Sequence, residues 1–293
     1  MRSYSFGTAL LFVLSSFLFS CNSSTDTGNQ DTPEQAQKDL RIVSLSGALT
    51  EILSGLGMEK NLAGVDITSN FPASVQSLPK VGHTHNLNTE AIIALKPDYV
   101  LSLEERGIKP EQAAQLEQAG IKVWKIKQEY SVEGTKQLIN TLADSFHKKE
   151  AAAAMITAID NSIKALPQYT DHPKVLFIYA RGAGTLQVSG TGTPMATMIA
   201  LAGGTNAGSD FEDFKPLTAE ALVKQNPDVI LLFESGMKSL DGAEGLMKAP
   251  GVAQTNAGKN KRFVEMDGEK LSGFGPRVGE AIKELGELIH EKK

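Results

Sequence analysis

Leu87-Asn88-Thr89-Glu90-Ala91-Ile92-Ile93-Ala94-Leu95-Lys96-Pro97-Asp98-Tyr99-Val100-Leu101 returns later in the chain as Leu217-Thr218-Ala219-Glu220-Ala221-Leu222-Val223-Lys224-Gln225-Asn226-Pro227-Asp228-Val229-Ile230-Leu231. In each stretch a capping residue, Asn88 or Thr218, opens a helix. Pro-Asp closes it, because the residue before a proline leaves the helical region. An apolar strand follows. The repeat predicts two lobes of like construction. Open α/β sheets bind ligands at the carboxyl ends of their strands, so two facing lobes place a ligand in the cleft between them.

The surrounding sequence alternates in the same way. Strands are expected over 41–45, 62–65, 99–103 and 121–126, with helices over 48–56, 89–95 and 110–119 between them. The stretch 132–166 differs: it has one glycine at its start and no proline, and Ala151 to Ala154 favour helix. Ile156, Ile159, Ile163 and Leu166 share a face. One long helix, or two with a break near His147, covers this stretch. Alternation resumes with strands over 175–179, 229–233 and 262–266, and helices over 194–201 and 278–289. Such alternation argues for α/β units around mostly parallel sheets. The expected layout is an N-terminal lobe over 41–130, a connecting helical segment over 131–168 and a C-terminal lobe over 169–293. Trp124, the only tryptophan, reads as core.

Ahead of the lobes, Arg2 precedes an apolar run through Phe19 that ends at Ser20-Cys21, the layout of a secretory signal over 1–20. The run is too short and serine-rich for a membrane span of about 20 residues. Leu18-Phe19-Ser20-Cys21 resembles a bacterial lipobox. Cys21 is the only cysteine, so no disulfide can form within the chain, and lipidation gives the thiol a use. Acyl chains on Cys21 would hold the protein at a membrane surface. The polar residues up to 40 lack the apolar surface to fold and read as a tether. A net charge of −5 without a basic run argues against nucleic acid.

Signs of catalysis are few. There is no G-x-S-x-G elbow and no phosphate-binding Walker loop. Gly190-Thr191-Gly192-Thr193-Pro194 begins like a dinucleotide loop but lacks its third glycine. An exported hydrolase is the class-level alternative, and no nucleophile and base assemble for it. Of five histidines, His147, His172 and His290 read as surface residues. His83 and His85 differ: they sit two apart in the loop before the first repeated helix, where both can face one point. Imidazole ligates zinc, copper and haem iron.

Three passages, 41–53, 87–98 and 214–223, look like the binding proteins of ABC importers for vitamin B12, ferric siderophores and haem. Gly190-Thr191-Gly192-Thr193, Leu201-Ala202-Gly203-Gly204-Thr205-Asn206-Ala207 and Ser272-Gly273-Phe274-Gly275-Pro276-Arg277 look like the haem-binding branch. The resemblance runs from Arg41 onward. It implies two Rossmann-like α/β lobes joined by a long helix, the helical-backbone form of periplasmic binding protein, with an interlobe cleft that closes only slightly. It further implies an exported, lipid-anchored monomer, not an enzyme, that carries haem as cargo to a permease. Cobalamin or a ferric siderophore is the alternative cargo on this scaffold, and zinc or copper held by His83 and His85 a more distant one.

The haem branch commonly presents a tyrosine to the iron where this chain has His83, with a basic residue two places on, here His85. Imidazole is itself a standard iron ligand, so His83 is the expected axial ligand. Arg181 is expected to meet a propionate, and Phe274 to stack on the ring. Arg277 either meets a propionate or pairs with a carboxylate structurally. Tyr179 is either a second ligand or part of the core or cleft wall. Glu90 and Glu220, matched in the two repeats, correspond to the glutamates that dock such proteins onto permease arginines. A carboxylate in the first turn also suits the helix dipole.

Overall fold

The computed structural model describes residues 40–84, 86–105, 107–184 and 186–291. The expected signal, Cys21, most of the tether and His85 lie outside the described residues.

The first sheet contains β1 (Ile42–Ser44), β2 (Leu62–Val65), β5 (Tyr99–Leu103) and β6 (Lys122–Ile126) in the order β2-β1-β5-β6, all parallel. A small antiparallel pair, β3 (Gly82–His83) and β4 (Asn86–Leu87), sets His83 opposite Asn86. In the second sheet β7 (Lys174–Ala180) pairs with β9 (Thr205–Asn206) and β11 (Val229–Phe233), and β11 with β12 (Phe263–Met266), all parallel. This parallel part repeats the first sheet strand for strand. It is extended by two antiparallel strands, β8 (Leu186–Ser189) on β7 and β10 (Phe214–Pro216) on β8.

The two repeated passages fold alike. Asn88 Oδ1 accepts from Ala91 N at 2.9 Å and Thr218 Oγ1 from Ala221 N at 3.2 Å, capping the helices Thr89–Ala94 and Ala219–Gln225. Lys96 and Asn226 then take positive φ, 48° and 41°, and turn the chain. Each aspartate of Pro-Asp ties down the first strand of its sheet. Asp98 Oδ2 accepts from Arg41 N at 2.9 Å, and Asp228 Oδ2 from Lys174 N at 3.0 Å.

The connecting segment is two helices, Val132–Phe146 and Lys149–Lys164, broken where His147 takes the left-handed conformation. Leu138, Ile139 and Leu142 of the first and Ile159 of the second join one apolar core with Ile42 and Ile52 of the first lobe and Phe177 and Leu285 of the second. Separating the lobes would therefore open a core continuous through the connector. Trp124 is half-buried against that core, edge-on to Phe146 at 6.2 Å.

Candidate functional site: the cleft between the sheets

A cavity of about 400 Å³ opens where the carboxyl ends of the two sets of parallel strands meet. That lies within the roughly 300–1,000 Å³ usual for small-molecule sites. The first lobe lines it mainly with polar groups: Ser46 after β1, Asp66 and Thr68 after β2, His83 and Thr84 from the β3–β4 pair, and Gln128 after β6. Asp66 is buried and held by three donors: Ser69 Oγ at 2.5 Å, Thr68 Oγ1 at 2.6 Å and Thr68 N at 3.2 Å. Behind it, Thr50 Oγ1 lies 2.8 Å from Ser69 Oγ and donates to Ser44 Oγ at 2.9 Å. This hydroxyl chain fixes the loop after β2.

The second lobe presents an aromatic wall. Tyr179 at the end of β7, Phe214 on β10 and Phe233 at the end of β11 all line the cavity. Their rings meet edge-on: Tyr179 is 6.5 Å from Phe214 and 6.2 Å from Phe233, and buried Phe177 backs Phe233 at 4.7 Å. Such T-shaped contacts suit the ring quadrupoles and make the wall stiff. Exposed Arg181 stands at this wall with its guanidinium 5.5 Å from the Tyr179 ring centre.

Residues 42–269 match the family described as Periplasmic binding protein. The chain belongs to that family. It is similar to the periplasmic heme-binding protein RhuT from Roseiflexus sp. RS-1 in apo form, with 35% identity and a TM-score of 0.82, covering 86% of this chain and 98% of that one. It is similar also to the periplasmic heme binding protein HutB of Vibrio cholerae, with 30% identity, a TM-score of 0.76, and coverage of 86% and 100%. The uncharacterized ABC transporter substrate-binding lipoprotein YvrC of Bacillus subtilis is 29% identical over 271 residues, 90% of this chain and 84% of the relative. Family and neighbours are solute-binding proteins. The two-lobed architecture with an interlobe cleft is the one expected from sequence.

Of the residues singled out in this binding protein's sequence, the cleft gathers His83, Tyr179 and Arg181. It does not gather Phe274 or Arg277. Phe274 has φ of 48°, and its ring lies in the core, where it is 1% exposed and 5.6 Å from Tyr130. Its carbonyl accepts from Thr135 Oγ1 at 2.8 Å. Phe274 thus ties its loop to the connecting helix and does not line the cavity. Arg277 is paired: Nη2 reaches Glu51 Oε1 at 2.5 Å and Nε reaches Oε2 at 3.0 Å. Its guanidinium also covers the ring of Phe71 at 4.1 Å. Burial pushes the Glu51 carboxyl up and Arg277 pulls it down, with burial the larger effect. Arg277 is thus engaged by a carboxylate and does not line the cavity.

Glu90 and Glu220 are exposed in the first turns of their matched helices. His290 is no surface residue, because its ring stacks on Tyr169 at 3.7 Å. Its Nδ1 lies 3.0 Å from Asp171 Oδ1 and its Nε2 3.1 Å from Ala202 O. Gly190 to Thr193 cap a helix: Thr193 Oγ1 accepts from Ala196 N, and Pro194 opens Pro194–Leu201. Among the described residues, which do not include His85, no group of three or more His, Cys, Asp and Glu is placed to hold a metal ion.

Sequence reasoning passed over Phe214, Phe233 and Glu269 as cleft residues. A signal existed for Phe233. It ends the strand of the second repeat, as Leu103 ends that of the first, and strand carboxyl ends are where such folds bind.

Proposed function

We propose that this protein captures haem outside the cytoplasm and delivers it to an ABC permease without catalysing a reaction. The observation that carries the reading is the pairing of unlike walls in one cavity: an imidazole, His83, from the first lobe and the Tyr179–Phe214–Phe233 wall from the second. A flat, largely apolar macrocycle with a central iron fits aromatic walls on its edge or face and an imidazole on its metal. The haem-binding character of RhuT and HutB supports this cargo. His83 is the proposed axial ligand, with His85 beside it in sequence. Tyr179 is wall or second ligand, and Arg181, on the rim, is the proposed partner of a propionate. Phe274 and Arg277 have no part in ligand contact.

In this reading Cys21 carries the lipid that keeps the protein at the cell envelope, in line with the lipoprotein relative YvrC. Glu90 and Glu220, exposed on equivalent helices, are the proposed docking charges for the permease, where complementary charge steers and orients encounter. The protein acts as a monomer.

The test is a hemin titration of the soluble form starting at Asn22, followed by absorbance, beside His83→Ala. A saturable Soret band that the substitution shifts or weakens is expected. Absence of any band would remove haem as the cargo. The polar first-lobe wall with Gln128 would then favour cobalamin, whose fringe of amides needs hydrogen-bond partners and makes no demand on His83.

A further inference from the structure

The geometry points to Glu269 as a latch of the cleft: its carboxyl, carried by the second lobe beside the ligand cavity, docks on the helix Gly47–Gly55 of the first, and ligand binding there is coupled to a proton.

Glu269 lies in the short helix Gly268–Ser272 after β12, and its side chain crosses to the start of Gly47–Gly55. It accepts a hydrogen bond from the Ala48 backbone N–H. Two glycines make the socket. A methyl group on Gly47 would overlap the Glu269 carboxyl, and one on Gly273 would overlap the same carboxyl and the Glu269 carbonyl. Ser46, the cap residue of this helix, makes no side-chain capping bond, so Glu269 supplies what the cap leaves open. The residue also lines the ligand cavity.

The charges around it come from each element packed nearby. Asp66 faces it from the loop after β2, Glu51 from the next turn of the docked helix, and Asp267 from its own loop. Arg277 is engaged by Glu51, and Asp66 by its three hydroxyl and amide donors, so neither answers Glu269. Asp267 Oδ2 accepts from Asn70 Nδ2 at 3.2 Å, a second tie across the lobes. Desolvation first, then Asp66, Glu51 and Asp267, push the Glu269 carboxyl up to about 8, against the smaller pull of the Ala48 N–H. At neutral pH the group is therefore mostly protonated.

Two consequences follow from linkage. From the ordinary carboxylate value to about 8, the folded state holds a proton that the unfolded state has released, so stability falls as pH rises through that window. A ligand filling the cavity removes the remaining water from Glu269, which favours the neutral acid further. Affinity then falls as pH rises past about 8, because binding must take up a proton.

The test uses the soluble chain from Asn22, with hemin as probe, and so rests on the haem reading for its second arm only. Urea unfolding from pH 5 to 9 and hemin titrations from pH 7 to 9.5 are run on wild type and Glu269→Gln, a neutral isostere that keeps the docked shape. For wild type, stability is expected to fall across the first range and hemin affinity to weaken by about tenfold per pH unit at the upper end, the limit for one proton. In Glu269→Gln both slopes flatten. Equal pH slopes in the two proteins would overturn the proposal. If wild type binds no hemin at pH 7, the haem reading fails, and the unfolding arm alone decides the latch: a flattened slope in Glu269→Gln supports it, and an unchanged slope overturns it.

Discussion

The passage from Asn88 through β5 and the passage from Thr218 through β11 follow one plan: a polar cap, a short helix, a left-handed turn, an aspartate that ties down the first strand, and an apolar strand into the sheet. The strands deliver different chemistry to the same cleft. The first lobe ends in Leu103 and carries beside it a hydroxyl-braced, polar wall that includes the His83 imidazole. The second ends in Phe233 and adds two antiparallel strands, of which β10 brings Phe214 into the wall. A duplicated frame thus leaves its strand ends free to diverge, and the ligand site is built from that divergence.

The largest expected effect lies between the lobes, where the repeat has no counterpart. Arg277→Ala leaves Glu51 buried without its cation, and is expected to cost about 3–5 kcal/mol in urea unfolding. A loss below about 1 kcal/mol would mean the pair does not brace the cleft. Next come the two aspartates. Asp98→Ala and Asp228→Ala each remove an acceptor from a first-strand N–H and are expected to cost about 1–3 kcal/mol. Asp228 Oδ1 also accepts from Asn256 Nδ2 at 2.9 Å. Losses differing by more than about 2 kcal/mol on denaturation would break the equivalence of the two ties.

Smaller still are the caps. Asn88→Ala and Thr218→Ala are each expected to lower stability by about 1 kcal/mol, and by similar amounts. Smallest are Glu90→Gln and Glu220→Gln, both exposed, which are expected to change stability by less than about 0.5 kcal/mol. Either one is nonetheless expected to reduce hemin uptake in reconstituted vesicles bearing the cognate permease. Unchanged uptake would leave the matched glutamates as ordinary first-turn carboxylates.

The longer helices and parallel strands were legible because periodicity, caps and Pro-Asp are local signals, whereas the two-residue β9 and the short helix Gly268–Ser272 were not. The passages 99–103 and 194–201 coincide with β5 and the helix Pro194–Leu201. The antiparallel strands β8 and β10 were not, since three or four residues such as Phe214–Pro216 carry too little pattern to read as strand. His83, Tyr179 and Arg181 were legible as cleft residues because each stands at or just past the end of a strand. The burial of Phe274 was not legible, because its neighbours in the core, Tyr130 and Thr135, come from far along the chain. Arg277 finds Glu51 and Glu269 finds the helix start only across the lobes, through contacts far apart in sequence.

The most direct measurement is a crystal structure of the soluble chain grown with hemin. The account predicts one iron bonded to the His83 imidazole, the macrocycle against Tyr179, Phe214 and Phe233, and a propionate at Arg181. Iron ligated by another residue, or a macrocycle bound away from this wall, would contradict it.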